Sequence, residues 1–171
     1  MHLIKKSFNP LLTIIILFCL VATGHTETIK SILENRYASM KSAMAERNPK
    51  AISLLLTPNF SSEDVSGKQI SAEQMINQVC SLPKDSNKKS STTLLSIKAD
   101  NNIATVKQHY YMTTSKIDPN NTANMQAVEL NAESTDTWIN NNGTWRLQRT
   151  VTDKMSYKIN GKVVVAKERV H

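Results

Sequence analysis

Few side chains in this sequence have the type and setting for chemistry. Asp64 lies in the polar run Glu63-Asp64-Val65-Ser66-Gly67, and Asp136 lies two residues before Trp138 in a stretch that reads as strand. A carboxyl group in an apolar site resists ionisation, so it can hold or move a proton near neutral pH. Each aspartate also has a plain role open to it. Asp64 suits a turn beside Gly67, and Asp136 suits a bond to backbone or to Arg146. Tyr37 offers a phenol on the apolar stripe of a helix. His109 alternates with Lys107 and Tyr111 on one strand face, while Val106, Tyr110 and Met112 share the other, and the outward side is favoured for it. Cys80 sits in an apolar helical pattern with no His partner nearby, which describes an inert buried thiol. No spacing of His, Cys, Asp and Glu resembles a metal site, and no cofactor is expected. Four glycines leave little material for a phosphate-binding loop, and no serine-centred elbow occurs.

The elements that must hold these residues divide into helices first and strands second, an order that means α+β. Residues 28–47 place Ile29, Ile32, Leu33, Tyr37, Met40 and Met44 in steps of three and four, one helical stripe. Asn48-Pro49 ends that helix and starts another, because Asn caps well and Pro suits the first helical position. The second helix runs to about Leu56 and stops at Thr57-Pro58. Residues 59–69 read as a polar loop. Ser71-Ala72-Glu73-Gln74 has capping-box spacing and opens a third helix carrying Met75, Ile76, Val79 and Cys80. Strands are expected over residues 91–99 and 103–114 across Asp100-Asn101-Asn102, then a loop over 115–123. Residues 125–140 form one long strand or two pieces and turn at Asn142-Gly143 into 144–151. A weaker hairpin is expected across Asn160-Gly161.

The N-terminus reads as a leader. Lys5 and Lys6 precede the apolar run Leu11–Val21, and small residues follow at Ala22 and Gly24. That is the order of a cleavable secretory signal over 1–24, too short to span a bilayer as a helix. The product is expected to be exported, periplasmic or secreted, with no stable membrane insertion after cleavage. Cleavage removes Cys19 and leaves Cys80 alone, so no internal disulfide can form. The chain carries a net charge of +7, or +5 without Lys5 and Lys6. The basic residues are scattered and not interleaved with aromatics, so nucleic acid is not an expected partner. No Gly/Ser or Pro-rich linker divides residues 25–153, and 154–171 form a tail strand or hairpin.

Two motifs carry a resemblance. Asp136-Thr137-Trp138-Ile139, a short Asn turn and Gly143-Thr144-Trp145-Arg146-Leu147 resemble the closing hairpin of the nuclear transport factor 2-like superfamily, in its ketosteroid isomerase-like and SnoaL-like branch. The stretch from Leu55 to Met75, LLTPNFSSEDVSGKQISAEQM, is similar to the loop between second and third helices of that branch. The resemblance covers about residues 28–152. The resemblance implies a cone of curved antiparallel sheet packed on three N-terminal helices, with an apolar pocket at its open end. It also implies roles. Asp64 falls where the isomerases keep their proton-moving carboxylate, and Asp136 near their protonated aspartate, allowing for a turn one residue shorter. Their oxyanion tyrosine falls at Met40, and Tyr37 lies one turn, about 5 Å, away. Enolising a ketone needs a base at its α-carbon and donors at its oxygen.

The reading is therefore an exported domain binding a small apolar or amphipathic molecule. Met40, Phe60, Tyr110, Trp138 and Trp145 are expected to line the pocket, and relatives imply a homodimer through the outer sheet face. An isomerase or dehydratase using Asp64 as base, with Asp136 and Tyr37 as donors, is the first alternative. An envelope protein-interaction module is the second.

Overall fold

The computed structural model describes residues 29–119 and 121–170. The leader expected at 1–24 lies outside the described residues. Helix α1 covers residues 29–46 and buries Ile29, Leu33, Met40 and Ala43, with Tyr37 and Met44 packed partly against the same core. Ile32 falls off this stripe and is 38% exposed. The helix closes with Arg47 in the left-handed region, where φ is 57°. There the Arg47 N–H donates to Met44 O and the Asn48 N–H to Ala43 O, which satisfies carbonyls the helix end would leave unpaired. A side chain in that conformation costs roughly 1 kcal/mol. The Arg47 guanidinium offsets it by donating to Met44 O, Leu82 O and Pro83 O. Asn48 then caps α2, Pro49–Leu55, accepting from the Ala51 N–H. Helix α3, Ala72–Ser81, opens with the capping box of Ser71 and Gln74.

Among the described residues seven strands follow or interleave: β1 (Leu56–Glu63), β2 (Gln69–Ser71), β3 (Lys89–Asp100), β4 (Ile103–Asp118), β5 (Asn121–Asn141), β6 (Thr144–Ile159) and β7 (Lys162–Glu168). Three helices pack on one curved, unclosed sheet of order β2-β1-β6-β5-β4-β3, with β7 also paired to β6. Asn142 and Gly143 both have positive φ, as do Asn160 and Gly161, so both β5–β6 and β6–β7 close in tight two-residue turns. Bulges at Glu133/Ser134 and Thr137/Trp138 interrupt the β5–β6 ladder and bend it.

Three expectations need correction. The sheet is mixed rather than antiparallel throughout, because β1 runs parallel to β6 over Ser61–Glu63 and Arg149–Val151. Residues 59–69 are not one loop: β1 reaches Glu63 and β2 begins at Gln69. The strand contains Pro58, and the β1–β6 register shifts between Leu56 and Ser61, so the missing proline N–H falls where the ladder is already broken. The loop expected over 115–123 shrinks, since β4 continues to Asp118 and β5 starts at Asn121. In addition, β6 passes Asp153 without a break, and β7 joins the sheet beside it.

β1 and β7 share one edge of β6, and their ends are clasped together. Glu63 is 8% exposed and accepts from Arg149, Arg169 and Gln69, while Arg169 also donates to Asp64 O. The core lies between α1, α2 and the inner sheet face, built on Leu33, Ile52, Phe60, Val106, Trp138 and Trp145. If 56–63 is a true core strand, Phe60→Ala will destabilise the fold by about 3–4 kcal/mol in urea unfolding. The neighbouring exposed Asn59→Ala will stay within about 0.5 kcal/mol. Equal effects would mean that the segment does not anchor in the core.

Candidate functional site

A cavity of about 250 Å³ opens between α1, the segment after α3 and the inner face of the sheet. Its wall is apolar where Met40, Met44, Leu147 and Tyr110 meet, and polar where Tyr37, Gln108 and Asp136 reach it. The sheet's alternation explains the polar set. Val106 and Gln108 on β4, and Ser134, Asp136 and Trp138 on β5, all point inward and are buried. The register pairs Val106 with Asp136 and Gln108 with Ser134. Gln108 and Asp136 are therefore diagonal neighbours on one face, about 7–8 Å apart at the backbone.

Asp136 is 2% exposed. Its Oδ2 accepts from the Tyr37 hydroxyl at 2.7 Å, and that hydroxyl accepts from the Trp138 indole N–H at 3.0 Å. The rings of Tyr37 and Trp138 meet edge to face with centroids 5.1 Å apart. Asp136 Oδ1 is buried with no hydrogen bond of good geometry, and so is Gln108 Oε1. The Asp136 carboxyl is raised to about 6: burial drives it up most, the Tyr37 and Thr150 hydroxyls oppose this, and the nearby Asp153 charge adds to the rise. Thr150 faces Asp136 across the β5–β6 ladder. The Tyr37 phenol is pushed above its ordinary range by burial first, then by the charge and bond of Asp136. It therefore stays a donor.

The structure brings together Tyr37, Asp136, Met40 and Tyr110, and it separates the rest. Asp64 is exposed and outside the cavity. Its Oδ1 accepts from the Ser66 N–H, the Ser66 hydroxyl and the Lys68 N–H, and these bonds hold its carboxyl below the ordinary value. It is the turn residue that its neighbours Ser66 and Gly67 suggest. Phe60, Trp138 and Trp145 are not among the cavity-lining residues; they are at most 4% exposed and fill the closed end of the core. A flat aromatic between helix and sheet is consumed by packing, and only the Trp138 N–H acts on the site. Gln108, Lys41, Arg47 and Lys88 were not among the expected lining residues. For Gln108 a signal existed, since it sits between Val106 and Tyr110 on the inward face of its strand.

Wider grooves lie elsewhere, among them two that need comparison with this cavity. One of about 490 Å³ runs over the outer sheet face with His109, Glu133 and Lys154, which places His109 outward. One of about 610 Å³ lies beside α2, β1 and α3 and holds Arg146, which makes no bond to Asp136. Neither has a buried carboxyl. Among the described residues, no group of three His, Cys, Asp or Glu is placed to hold a metal.

No protein-family model matches this sequence, and no curated protein does. Solved structures do match. A scytalone dehydratase-like protein of Novosphingobium aromaticivorans superposes with a TM-score of 0.65 at 11% identity, covering 86% of this chain and 97% of the other. LinA gives 0.60 at 11% identity, over 84% and 90%. A nuclear transport factor 2-like protein of Salmonella enterica gives 0.55 at 17% identity, over 80% and 94%. At these identities the likeness establishes the fold, which is nuclear transport factor 2-like.

The Asp136 carboxyl sets a pH dependence with a definite sign. Unfolded, it ionises near 3.8; folded, near 6. Below about pH 4 both states are protonated and burial of the charge is not felt. Between about pH 4 and 6 the unfolded state ionises while the folded one holds its proton, so stability falls, and the loss is complete at roughly 2–3 kcal/mol once pH has passed 6. Asp136→Asn removes that loss and can still accept from Tyr37. Relative to wild type it will gain about 2 kcal/mol more at pH 8 than at pH 4. Urea unfolding at the two pH values checks this; the same difference at both would show that Asp136 does not titrate as described.

Proposed function

We propose, taking the nuclear transport factor 2-like fold as the premise, that this chain is a binding domain for a small amphipathic molecule. The molecule enters the cavity beside α1 and sets a hydroxyl or amine donor on Asp136. The observation that carries this is the pairing of a buried carboxyl with an open cavity: Asp136 lines the cavity beside Thr150, and its Oδ1 is buried with no hydrogen bond of good geometry. A buried polar atom left without a partner costs about 1–3 kcal/mol. A ligand that donates to it recovers this, and the apolar wall takes the ligand's body. The order of charge, apolar run and small residues at the N-terminus supports export of the domain.

A second reading, proton transfer, is favoured by the raised Asp136 carboxyl and its bond to Tyr37, a combination that suits a general acid or base. It uses Asp136, and Asp64 has no part in it. The scytalone dehydratase-like neighbour shares the fold with this chain and nothing finer.

Titration with 1-octanol and with α,ω-diols of six to twelve carbons, followed by calorimetry, tests the binding reading. At least one diol will bind, and Asp136→Asn will weaken it about tenfold by replacing the acceptor with a donor. No binding up to millimolar concentration, or equal binding by the variant, overturns the proposal. Mass spectrometry of the incubated ligands reads out the second: a product that forms with wild type and not with Asp136→Asn would establish turnover.

A further inference from the structure

The same cavity has a charged mouth that the floor does not explain. The floor is buried: Asp136 and Gln108 are at most 9% exposed. The mouth is formed by exposed Lys41 and Lys88 with half-buried Arg47, against one carboxylate, Asp85. None of these three cations has a carboxylate partner among the described residues, where the ion pairs are Lys30–Glu34, Arg149–Glu63, Lys154–Glu168 and Arg169–Glu63.

Two of the three are held in place by neutral groups. Lys41 Nζ donates to Ser90 O at 2.6 Å, and Arg47 is fixed by the carbonyls of Met44, Leu82 and Pro83. A carbonyl fixes the position of a cation and leaves its charge uncompensated. Asp85 does not neutralise them either. Its carboxylate is turned to its own loop and to β4, accepting from the Thr114 hydroxyl at 2.7 Å and the Asn87 N–H at 3.0 Å. The Lys88 side chain makes no hydrogen bond or ion pair among the described residues.

From mouth to floor the cavity thus presents uncompensated cations, then methionine and leucine side chains, then two unbonded acceptor oxygens. We infer that its ligand is a hydroxylated organic anion, with a carboxylate, sulfate or phosphate head between Lys41, Arg47 and Lys88 and a donor group on Asp136 and Gln108. The order of these zones also fixes the ligand's orientation. An anionic head placed at the floor would meet the Asp136 charge in a dry site, where like charges repel most strongly. The inference rests on the cavity being the ligand site, and it adds the head-group chemistry to that reading.

The test compares ω-hydroxy carboxylic acids with α,ω-diols and ω-amino alcohols of six to twelve carbons, each titrated against the full chain by calorimetry. The hydroxy acid of best length will bind about tenfold more tightly than the diol of that length, and the amino alcohol more weakly than both. The preference will shrink towards onefold in 0.5 M salt, where charges are screened over about 4 Å. Lys88→Glu, which breaks no side-chain bond, will invert or erase the preference, and Lys41→Gln will reduce it. If acids and diols bind alike, or Lys88→Glu leaves their ratio at tenfold, the anion inference is overturned and the cavity reading stands. If no member of any series binds, both fall.

Discussion

The Tyr37 hydroxyl is used twice, and the open end of the fold depends on it. It accepts from the Trp138 indole and donates to Asp136. Both partners sit on β5 with one residue between them, so a single oxygen joins α1 to the sheet at the floor of the cavity. The geometry leaves Asp136, a cavity-lining residue, half satisfied: one oxygen serves the fold and the other is buried without a well-formed bond. Thr150, the other hydroxyl beside it, lowers the carboxyl's pKa without making a bond of good geometry to Oδ1. An apolar residue in place of Asp136 would remove the demand for one. The arrangement keeps a buried carboxyl at a stability cost, which is common where a site must recognise something polar in a dry place.

Much of the architecture was legible because it rests on local chemistry. The stripe from Ile29 to Met44, the double duty of Asn48-Pro49, the Ser71–Gln74 box and the Asn142-Gly143 turn each encode their geometry within a few residues. β1 could not be read that way. Its buried residues, Leu56, Phe60 and Glu63, are spaced by four and three, a helical rhythm, because a register shift and a proline interrupt the strand's period of two. Its partner is β6, which starts at Thr144, and no local signal announces a parallel pairing across that distance.

The site was legible in part for a similar reason. Asp136, Tyr37, Met40 and Tyr110 are residues whose type and inward phase coincide. Asp64 was assigned by its place in a family pattern, while its immediate neighbours, a serine and a glycine two and three residues on, spelled a turn. The local chemistry decided the outcome. The aromatic residues were chosen for size, and size led them into the core. Lys41 and Lys88 lie far apart in sequence and line one cavity, where Ser90 O takes the Lys41 ammonium.

The edge of β6 shared by β1 and β7 has a consequence for the order in which the molecule can assemble. β1 leaves the ribosome early, yet the strand it lies against is made after β3, β4 and β5, and the arginine that clasps its end comes later still. Until then Leu56 and Phe60 have no sheet to cover them, and α2 cannot seat on a finished core. The helices can form as they emerge, but the sheet must wait for its middle strand. The nascent chain therefore remains an open, unfinished object for most of its synthesis.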